Sequence, residues 1–152
     1  VTLGEVLEAA GGFFGTGSLA AVLLGGAAGS FVGPDSIDLP LTFEATREAG
    51  VSLGSGVVMA FSDHDDLADT VRRIAAFFRD ESCGQCVPCR VGTLRQEELL
   101  IRLSDGTSSG DERPLFDDLA AVMGDASICG LGHTASSAVR SALDLGLLVA
   151  NR

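Results

Sequence analysis

Four cysteines lie in the second half of the sequence, and three of them are clustered. Cys83, Cys86 and Cys89 follow a C-x2-C-x2-C spacing, and Cys129 stands 40 residues beyond the third. Three closely spaced thiolates can wrap one side of an inorganic cluster, while the fourth must come from elsewhere in the fold. The spacing favours four cysteine ligands to a 4Fe–4S cluster.

Three other uses of the cysteines compete with this interpretation. A structural zinc site usually shows two separate C-x2-C pairs, and not a triplet with a single distant residue. Disulfides are typical of oxidising compartments, and no secretory signal is visible in the sequence. A redox dithiol needs one C-x2-C pair and leaves two cysteines without a role. Zinc in a structural or interaction module is the main alternative to the cluster.

Glycines accompany the cysteines. Gly84 permits a tight backbone inside the triplet, and Gly130 and Gly132 allow the chain after Cys129 to approach a bulky group closely. The N–H groups of such loops can donate to buried cluster sulfurs. We therefore expect these segments to surround the cofactor.

Two charged or titratable residues also stand next to the cysteines. Arg90 either places positive charge beside an anionic cluster or pairs with Asp80 or Glu81. His133 either donates to a cluster sulfur or faces solvent at the start of a helix. No residue pattern indicates a hydrolytic site, and we assign no residue to bond-making chemistry.

Residues 62–152 predict a helical domain that carries all four cysteines. Ser62 or Asp63 is expected to cap a helix whose apolar face repeats at helical spacing, with Leu67, Val71, Ile74, Ala75 and Phe78. Further helices are predicted from about 91 to 103, from Pro114 with Leu115, Leu119 and Val122 on one side, and from about 134 to 148.

Residues 1–61 predict a small module of mixed structure. Helices are expected over residues 2–10, with Thr2 as the cap, and over residues 42–50. Strands are expected over residues 19–24 and 56–61. The chain as a whole is therefore predicted to be α+β, with a small sheet module followed by a helical bundle.

The composition narrows the classes of partner. The 152 residues carry a formal net charge of −11, and 46% of them are hydrophobic. An acidic surface repels phosphate, so nucleic acid and anionic membranes are not expected partners. No apolar run approaches the roughly 20 residues that a spanning helix needs.

Two cysteine segments resemble one protein family. Residues 81–93 (ESCGQCVPCRVGT) resemble the ESCGxCxPCRxGT signature of the NADH-binding flavoprotein subunit of respiratory complex I, and residues 127–132 (SICGLG) resemble that family's second cluster motif. Relatives include diaphorase subunits of NAD-reducing hydrogenases and β subunits of NAD-dependent formate dehydrogenases. Residues 1–61 resemble, less sharply, the β-grasp "soluble ligand-binding" (SLBB) module that precedes the cluster domain in that family.

The resemblance implies electron transfer. In that family Cys83, Cys86, Cys89 and Cys129 would bind a 4Fe–4S cluster that links an NADH-reduced flavin to further iron–sulfur centres. The family's GRGGxGFPTG-type loop is absent from this sequence, so FMN is expected in an upstream region or a partner chain. We expect a longer or multi-subunit oxidoreductase with an FMN-bearing part, a thioredoxin-like 2Fe–2S subunit and a multi-cluster subunit. The expected location is the cytoplasm, including the inner face of a membrane complex.

Overall fold

The computed structural model describes residues 1–13 and 16–148, and these residues form an α+β structure. Positions 14, 15 and 149–152, which the two predicted domains include, lie outside the described residues. The described chain divides into two compact units, the first ending at Asp66 and the second beginning at Leu67. No helix in these described ranges is both long and apolar enough to cross a bilayer.

The first unit is built around a three-stranded antiparallel sheet. Its elements are α1 (Leu3–Ala9), β1 (Leu19–Leu24), β2 (Ser30–Val32), α2 (Phe43–Glu48) and β3 (Val58–Ser62). The strand order is β2-β1-β3, with β1 in the centre. Val22 pairs with Val32 on one side and with Ala60 on the other. The predicted strand over 19–24 is thus confirmed, and its last four residues are buried.

Local caps explain the two helices of the first unit. The Thr2 side chain accepts a hydrogen bond from the Glu5 backbone N–H, and the Glu5 carboxylate accepts one from the Thr2 N–H. This reciprocal capping box satisfies two backbone donors that a helix start leaves unpaired. Thr42 caps α2 with a single bond, in which its side chain accepts from the Ala45 backbone N–H. Leu3 of α1 packs with the sheet residues Val22, Leu24 and Val32 in the core of the unit.

The second unit contains five helices among the described residues. They are α3 (Leu67–Glu81), α4 (Val87–Asp105), α5 (Arg113–Ala126), α6 (Gly130–Thr134) and α7 (Ser137–Asp144). Helix α4 packs against α3, α5 and α6, and α7 packs against α3. The two cysteine segments lie at junctions of this arrangement, one between α3 and α4 and the other between α5 and α6.

The apolar face of α3 is confirmed, but its predicted start is wrong. The buried residues are those of the predicted repeat: Leu67, Val71, Ile74, Ala75 and Phe78. The helix begins at Leu67, and not after Ser62 or Asp63. The Asp65 carboxylate accepts from the Ser62 N–H at 2.6 Å, and the Asp63 carboxylate accepts from the Ser18 N–H at 3.0 Å. Asp63 and Asp65 therefore lie in the turn after β3, and neither Ser62 nor Asp63 caps α3.

Other helix predictions need correction as well. Helix α4 begins at Val87, four residues earlier than predicted, because Pro88 occupies the first helical turn, where its missing N–H costs nothing. Helix α5 begins at Arg113 with Pro114 in its first turn, as expected. The predicted helix over 134–148 is confirmed only as the shorter α7 (Ser137–Asp144), and a separate short helix, α6 (Gly130–Thr134), precedes it.

The buried side of α5 differs from the prediction by one residue along the helix. Its buried residues are Phe116, Ala120 and Met123. Leu115 and Val122 are about half exposed. Both sets repeat at three- and four-residue intervals, so periodicity alone does not distinguish them.

Candidate metal centre

The cysteine triplet bridges the end of α3 and the start of α4. Cys83 follows the last residue of α3 by two positions, Cys86 is the N-cap of α4, and Cys89 lies in its first turn. Gly84 turns the chain between them with a φ of 75°, in the left-handed region that only glycine adopts readily. The backbone therefore reverses within the triplet, as the sequence predicts for Gly84.

Pro88 lies in the first turn of α4, directly after Cys86 and Val87. Cys86 has extended backbone angles and lies directly before α4, and the Arg90 N–H donates to the Cys86 carbonyl at 3.0 Å. The positive end of the α4 dipole is thereby directed toward the Cys86 and Cys89 thiols. At Cys86 this position favours the thiolate form that a metal or a cluster requires.

The second cysteine segment lies against the first. The backbone N–H groups of Ile128 and Cys89 point at the Cys86 sulfur, and they hold the pKa of that thiol below its ordinary value. The Ser127 side chain acts in the same direction, against the opposing effect of desolvation. Since Ile128 directly precedes Cys129, the structure brings the distant segment to the triplet.

Close packing of α6 fixes this segment. A Cβ atom placed on Gly132 would overlap the Ser127 side chain and lie 3.1 Å from the Cys89 Cβ atom. The missing side chain of Gly132 thus lets α6 contact both cysteine segments. A Cβ atom on Gly130 would meet nothing within 4 Å, so there is free space beside the first residue of α6.

The four cysteines differ in exposure. Cys89 is buried, Cys86 is half-buried, and Cys83 and Cys129 are exposed. All four are free thiols, so the disulfide alternative does not describe this fold. The site has a protein wall on the side of Cys86 and Cys89 and an open edge at Cys83 and Cys129.

Arg90 bonds the backbone of the cysteine loop, and the expected pairing with Asp80 or Glu81 is not seen among the described residues. One of its Nη atoms donates to the Gly84 carbonyl at 2.9 Å. It forms no ion pair with Asp80 or Glu81, since Asp80 instead pairs with Arg79 at 2.8 Å. The Arg90 side chain thereby closes the loop between Cys83 and Cys86.

His133 also acts on backbone. Its Nε2 atom lies 2.7 Å from the Ser127 carbonyl oxygen and donates to it. This bond ties α6 to the residue two positions before Cys129. Our two expectations, donation to sulfur and a free surface position, both missed this contact.

Two serines beside the cysteines were not predicted as part of the site. Ser82 Oγ lies 3.2 Å from Cys89 Sγ. Ser127 Oγ is buried without a hydrogen-bond partner of normal geometry among the described residues. The available signal was position: Ser82 directly precedes Cys83, and Ser127 stands two residues before Cys129.

The spacing of the side chains bears on which metal group fits. Within residues 1–13 and 16–148, no three His, Cys, Asp or Glu side chains close around a point as the ligands of one metal ion do. A zinc ion holds each thiolate at about 2.3 Å, so its four sulfurs must lie near one another. A 4Fe–4S cube takes one thiolate at each of four irons and needs a wider ring of sulfurs.

The residues present fit such a cluster. Four free thiols lie on two adjoining segments. The buried Ser127 hydroxyl offers a donor beside Cys86, and Gly130 leaves open space beside Cys129. Thiolate ligands, nearby N–H and O–H donors and room for a bulky core are what iron–sulfur ligation needs.

A family model matches the helical unit. The model describes the NADH-ubiquinone oxidoreductase-F iron-sulfur binding region, and it matches residues 69–145, somewhat more than half of the 152 residues. The match includes all four cysteines.

Two curated proteins show comparable similarity. The chain is 33% identical over 144 residues to the NADH-quinone oxidoreductase F subunit of Aquifex aeolicus, covering 94% of this chain and 32% of that protein. It is 28% identical over 145 residues to the NADP-reducing hydrogenase component HndC of Solidesulfovibrio fructosivorans, covering 95% of this chain and 30% of that protein. The chain therefore spans about a third of the length of these relatives.

A solved structure shares the fold. An NAD+-reducing NiFe hydrogenase in its H2-reduced state aligns with a TM-score of 0.82 and 30% sequence identity, covering 100% of this chain and 26% of the hydrogenase chain. The likeness thus includes the residues that precede the cysteine segments.

Proposed function

This chain belongs to the family of NADH-ubiquinone oxidoreductase-F iron–sulfur binding regions, and from that premise we propose that it transfers electrons through one 4Fe–4S cluster. The proposed ligands are the thiolates of Cys83, Cys86, Cys89 and Cys129. The cluster would supply one-electron redox chemistry between a flavin and the next iron–sulfur centre.

One observation carries this proposal. A Cβ atom on Gly132, three residues after Cys129, would lie 3.1 Å from the Cys89 Cβ atom, although 40 residues separate Cys89 from Cys129. A fold that delivers the single distant cysteine to the triplet is what a cluster with a three-plus-one ligand set requires.

The protein's own residues support this role in distinct ways. The start of α4 and the Ile128 N–H favour the thiolate at Cys86. Arg90 and His133 brace the two loops by bonding their carbonyls. Gly132 brings α6 against Cys89 and so helps to exclude water from the buried wall.

We further propose the context in which the chain works. Its relatives are named as subunits of NADH-quinone oxidoreductase and of hydrogenases, which supports a multi-subunit, NADH-linked oxidoreductase. The flavin donor would be FMN in another part of the protein or in a partner, and a formate dehydrogenase of the same type is a further candidate. The acceptor would be a 2Fe–2S or multi-cluster subunit in the cytoplasm.

We also propose that the first unit is a β-grasp module. Its three antiparallel strands and two capped helices are compatible with the SLBB-like β-grasp module proposed for residues 1–61, which leaves residues 62–152 as the cluster domain. An experimental structure of the full chain would test this by the strand order of residues 1–61.

Anaerobic reconstitution tests the cluster. The full chain is loaded with ferrous iron, sulfide and a thiol, and the expected product is brown, with four iron and four sulfide per chain and a visible band that bleaches on reduction. A colourless chain that holds zinc and no sulfide would overturn the proposal.

Cysteine variants test the ligand set. Each of Cys83→Ser, Cys86→Ser, Cys89→Ser and Cys129→Ser is expected to lose the four-iron product. Ser104→Ala, at an exposed position on the far end of α4, is the matched control and is expected to retain it. A full cluster in Cys129→Ser would show that the distant residue is not a ligand.

A further inference from the structure

The Ser82 hydroxyl lies beside the most buried of the four cysteines. Ser82 follows the last residue of α3, and its Oγ atom is 3.2 Å from the Sγ atom of Cys89 in α4. Cys89 is only 5% exposed. The contact therefore joins a side-chain hydroxyl to a sulfur that water reaches poorly.

The direction of this hydrogen bond follows from the other contacts of Ser82. The Gly84 backbone N–H donates to Ser82 Oγ at 3.4 Å, so the hydroxyl oxygen already accepts a bond from the loop. A ligating Cys89 thiolate has no proton to donate. The Ser82 proton must therefore be directed at the Cys89 sulfur whenever that sulfur is a ligand.

Such a bond acts unequally on the two redox states. Adding an electron makes a cluster and its thiolates more negative, and a donor aimed at a ligand sulfur stabilises the more negative state. Hydrogen bonds to charged acceptors are roughly twice as strong as neutral ones, and burial strengthens them further. A hydroxyl on Cys89 Sγ is placed to raise the reduction potential.

We propose that Ser82 is a positioning residue that sets the reduction potential of the cluster by donating its hydroxyl proton to Cys89 Sγ. The inference rests on the proposed function, because it needs Cys89 to be a cluster ligand. It extends that function by naming a residue outside the four ligands that tunes electron flow. Ser82 itself forms no bond to iron and transfers no proton in the electron step.

Thr93 supplies a matched comparison at the same cysteine. Its hydroxyl donates to the Cys89 backbone carbonyl at 2.8 Å and is fully buried. The two hydroxyls thus contact one residue but different atoms, one at the sulfur and one at the carbonyl. Removal of the Thr93 hydroxyl changes local packing and hydrogen bonding without removing the donor to sulfur.

The test measures the midpoint potential of reconstituted full-length chains by redox titration monitored by EPR. Ser82→Ala is expected to shift the equilibrium about tenfold toward the oxidised cluster, which is a fall of about 59 mV for a one-electron couple. Ser82→Thr keeps the hydroxyl, and its potential is expected to lie close to that of the parent chain. Thr93→Val is expected to move the potential by less than half as much as Ser82→Ala.

Two outcomes would overturn the inference while the proposed function stands. One is an intact four-iron cluster in Ser82→Ala with the potential of the parent chain, and the other is an equal shift in Thr93→Val. Should Ser82→Ala fail to hold iron, the isosteric pair Ser82→Thr and Ser82→Val decides by the same titration: a lower potential in Ser82→Val supports the inference, and equal potentials reject it. A parent chain that binds no iron and sulfide refutes the proposed function itself.

Discussion

The Nε2 atom of His133 donates to the carbonyl oxygen of Ser127 across a distance of 2.7 Å. The bond joins α6 to the residue two positions before Cys129, so Cys129 lies between its two ends in the sequence. Since Cys129 is itself exposed, this bond and the contact of Gly132 hold its segment in place.

Loss of the His133 side chain is expected to loosen the site. A hydrogen bond contributes about 0.5–1.5 kcal/mol, so His133→Ala should release iron to a chelator about twofold to tenfold faster than the parent chain. The loss of visible absorption after adding the chelator measures this rate. His133→Gln retains an N–H donor and should lie between the two, and equal rates in all three chains would exclude a bracing role.

Gly132→Ala is expected to destabilise the second unit. The new methyl group would overlap the Ser127 side chain and crowd Cys89, and overpacking of this kind costs about 1–3 kcal/mol. Gly124→Ala on α5 is the control, because a Cβ atom there meets nothing within 4 Å. Alanine should stabilise that helix by about 0.5–1 kcal/mol. Urea titration followed by circular dichroism compares the two, and a tolerated Gly132→Ala would mean that α6 is not held against Ser127.

The buried side of α5 gives a third prediction. Phe116 is fully buried beneath the Arg140 guanidinium, which lies 5.5 Å from its ring centroid. Phe116→Ala should cost about 3–5 kcal/mol of unfolding free energy. Leu115→Ala removes a side chain that is 45% exposed and should change stability by no more than about 0.5 kcal/mol. If Leu115→Ala lost more unfolding free energy than Phe116→Ala in chemical denaturation, Leu115 and not Phe116 would lie on the buried side of α5.

The Arg102–Glu112 pair predicts a pH dependence. Two guanidinium nitrogens of Arg102 each donate to a different Glu112 carboxylate oxygen at 2.9 Å. The Arg102 hydrogen bond, helped by Ser108, lowers the pKa of Glu112. A depressed pKa in the folded state gives stability that is present above the unfolded pKa of about 4.3 and is lost as the pH falls through the lower folded value.

Removal of the Glu112 charge tests this. The stability difference between the parent chain and Glu112→Gln should be constant from pH 7 to about 5 and should shrink below about 4.3. Glu44→Gln, at an exposed position of α2, is the control and should show no such trend. A difference that stays constant down to pH 3 would exclude the ion pair as its source.

The sequence predicted the parts of this fold that depend on local pattern. The five buried residues of α3 were predicted by their spacing, because a helix of that length has room for an unambiguous apolar stripe. Thr2 and Thr42 marked two helix starts, since a capping side chain acts within four residues of itself.

Contacts between distant residues account for most of the errors. Asp63 bonds Ser18, which is 45 residues away, so its role as a turn residue is not visible in its neighbours. Phe116 is buried and Leu115 is not, because the packing of α5 on α4 decides which of two similar stripes faces inward. Within the site, the cysteine spacing indicated the proposed ligands, but the Ser82–Cys89 bond depends on how α3 meets α4.

The contact of Ile128 with Cys86 has one more consequence. The side chain of Ile128 is 72% exposed, and only its main chain reaches the sulfur. Nineteen of the twenty genetically encoded amino acids carry this amide hydrogen, and proline does not. The side chain at position 128 can therefore vary with what it contacts outside the protein, while the backbone N–H that lowers the pKa of Cys86 is retained.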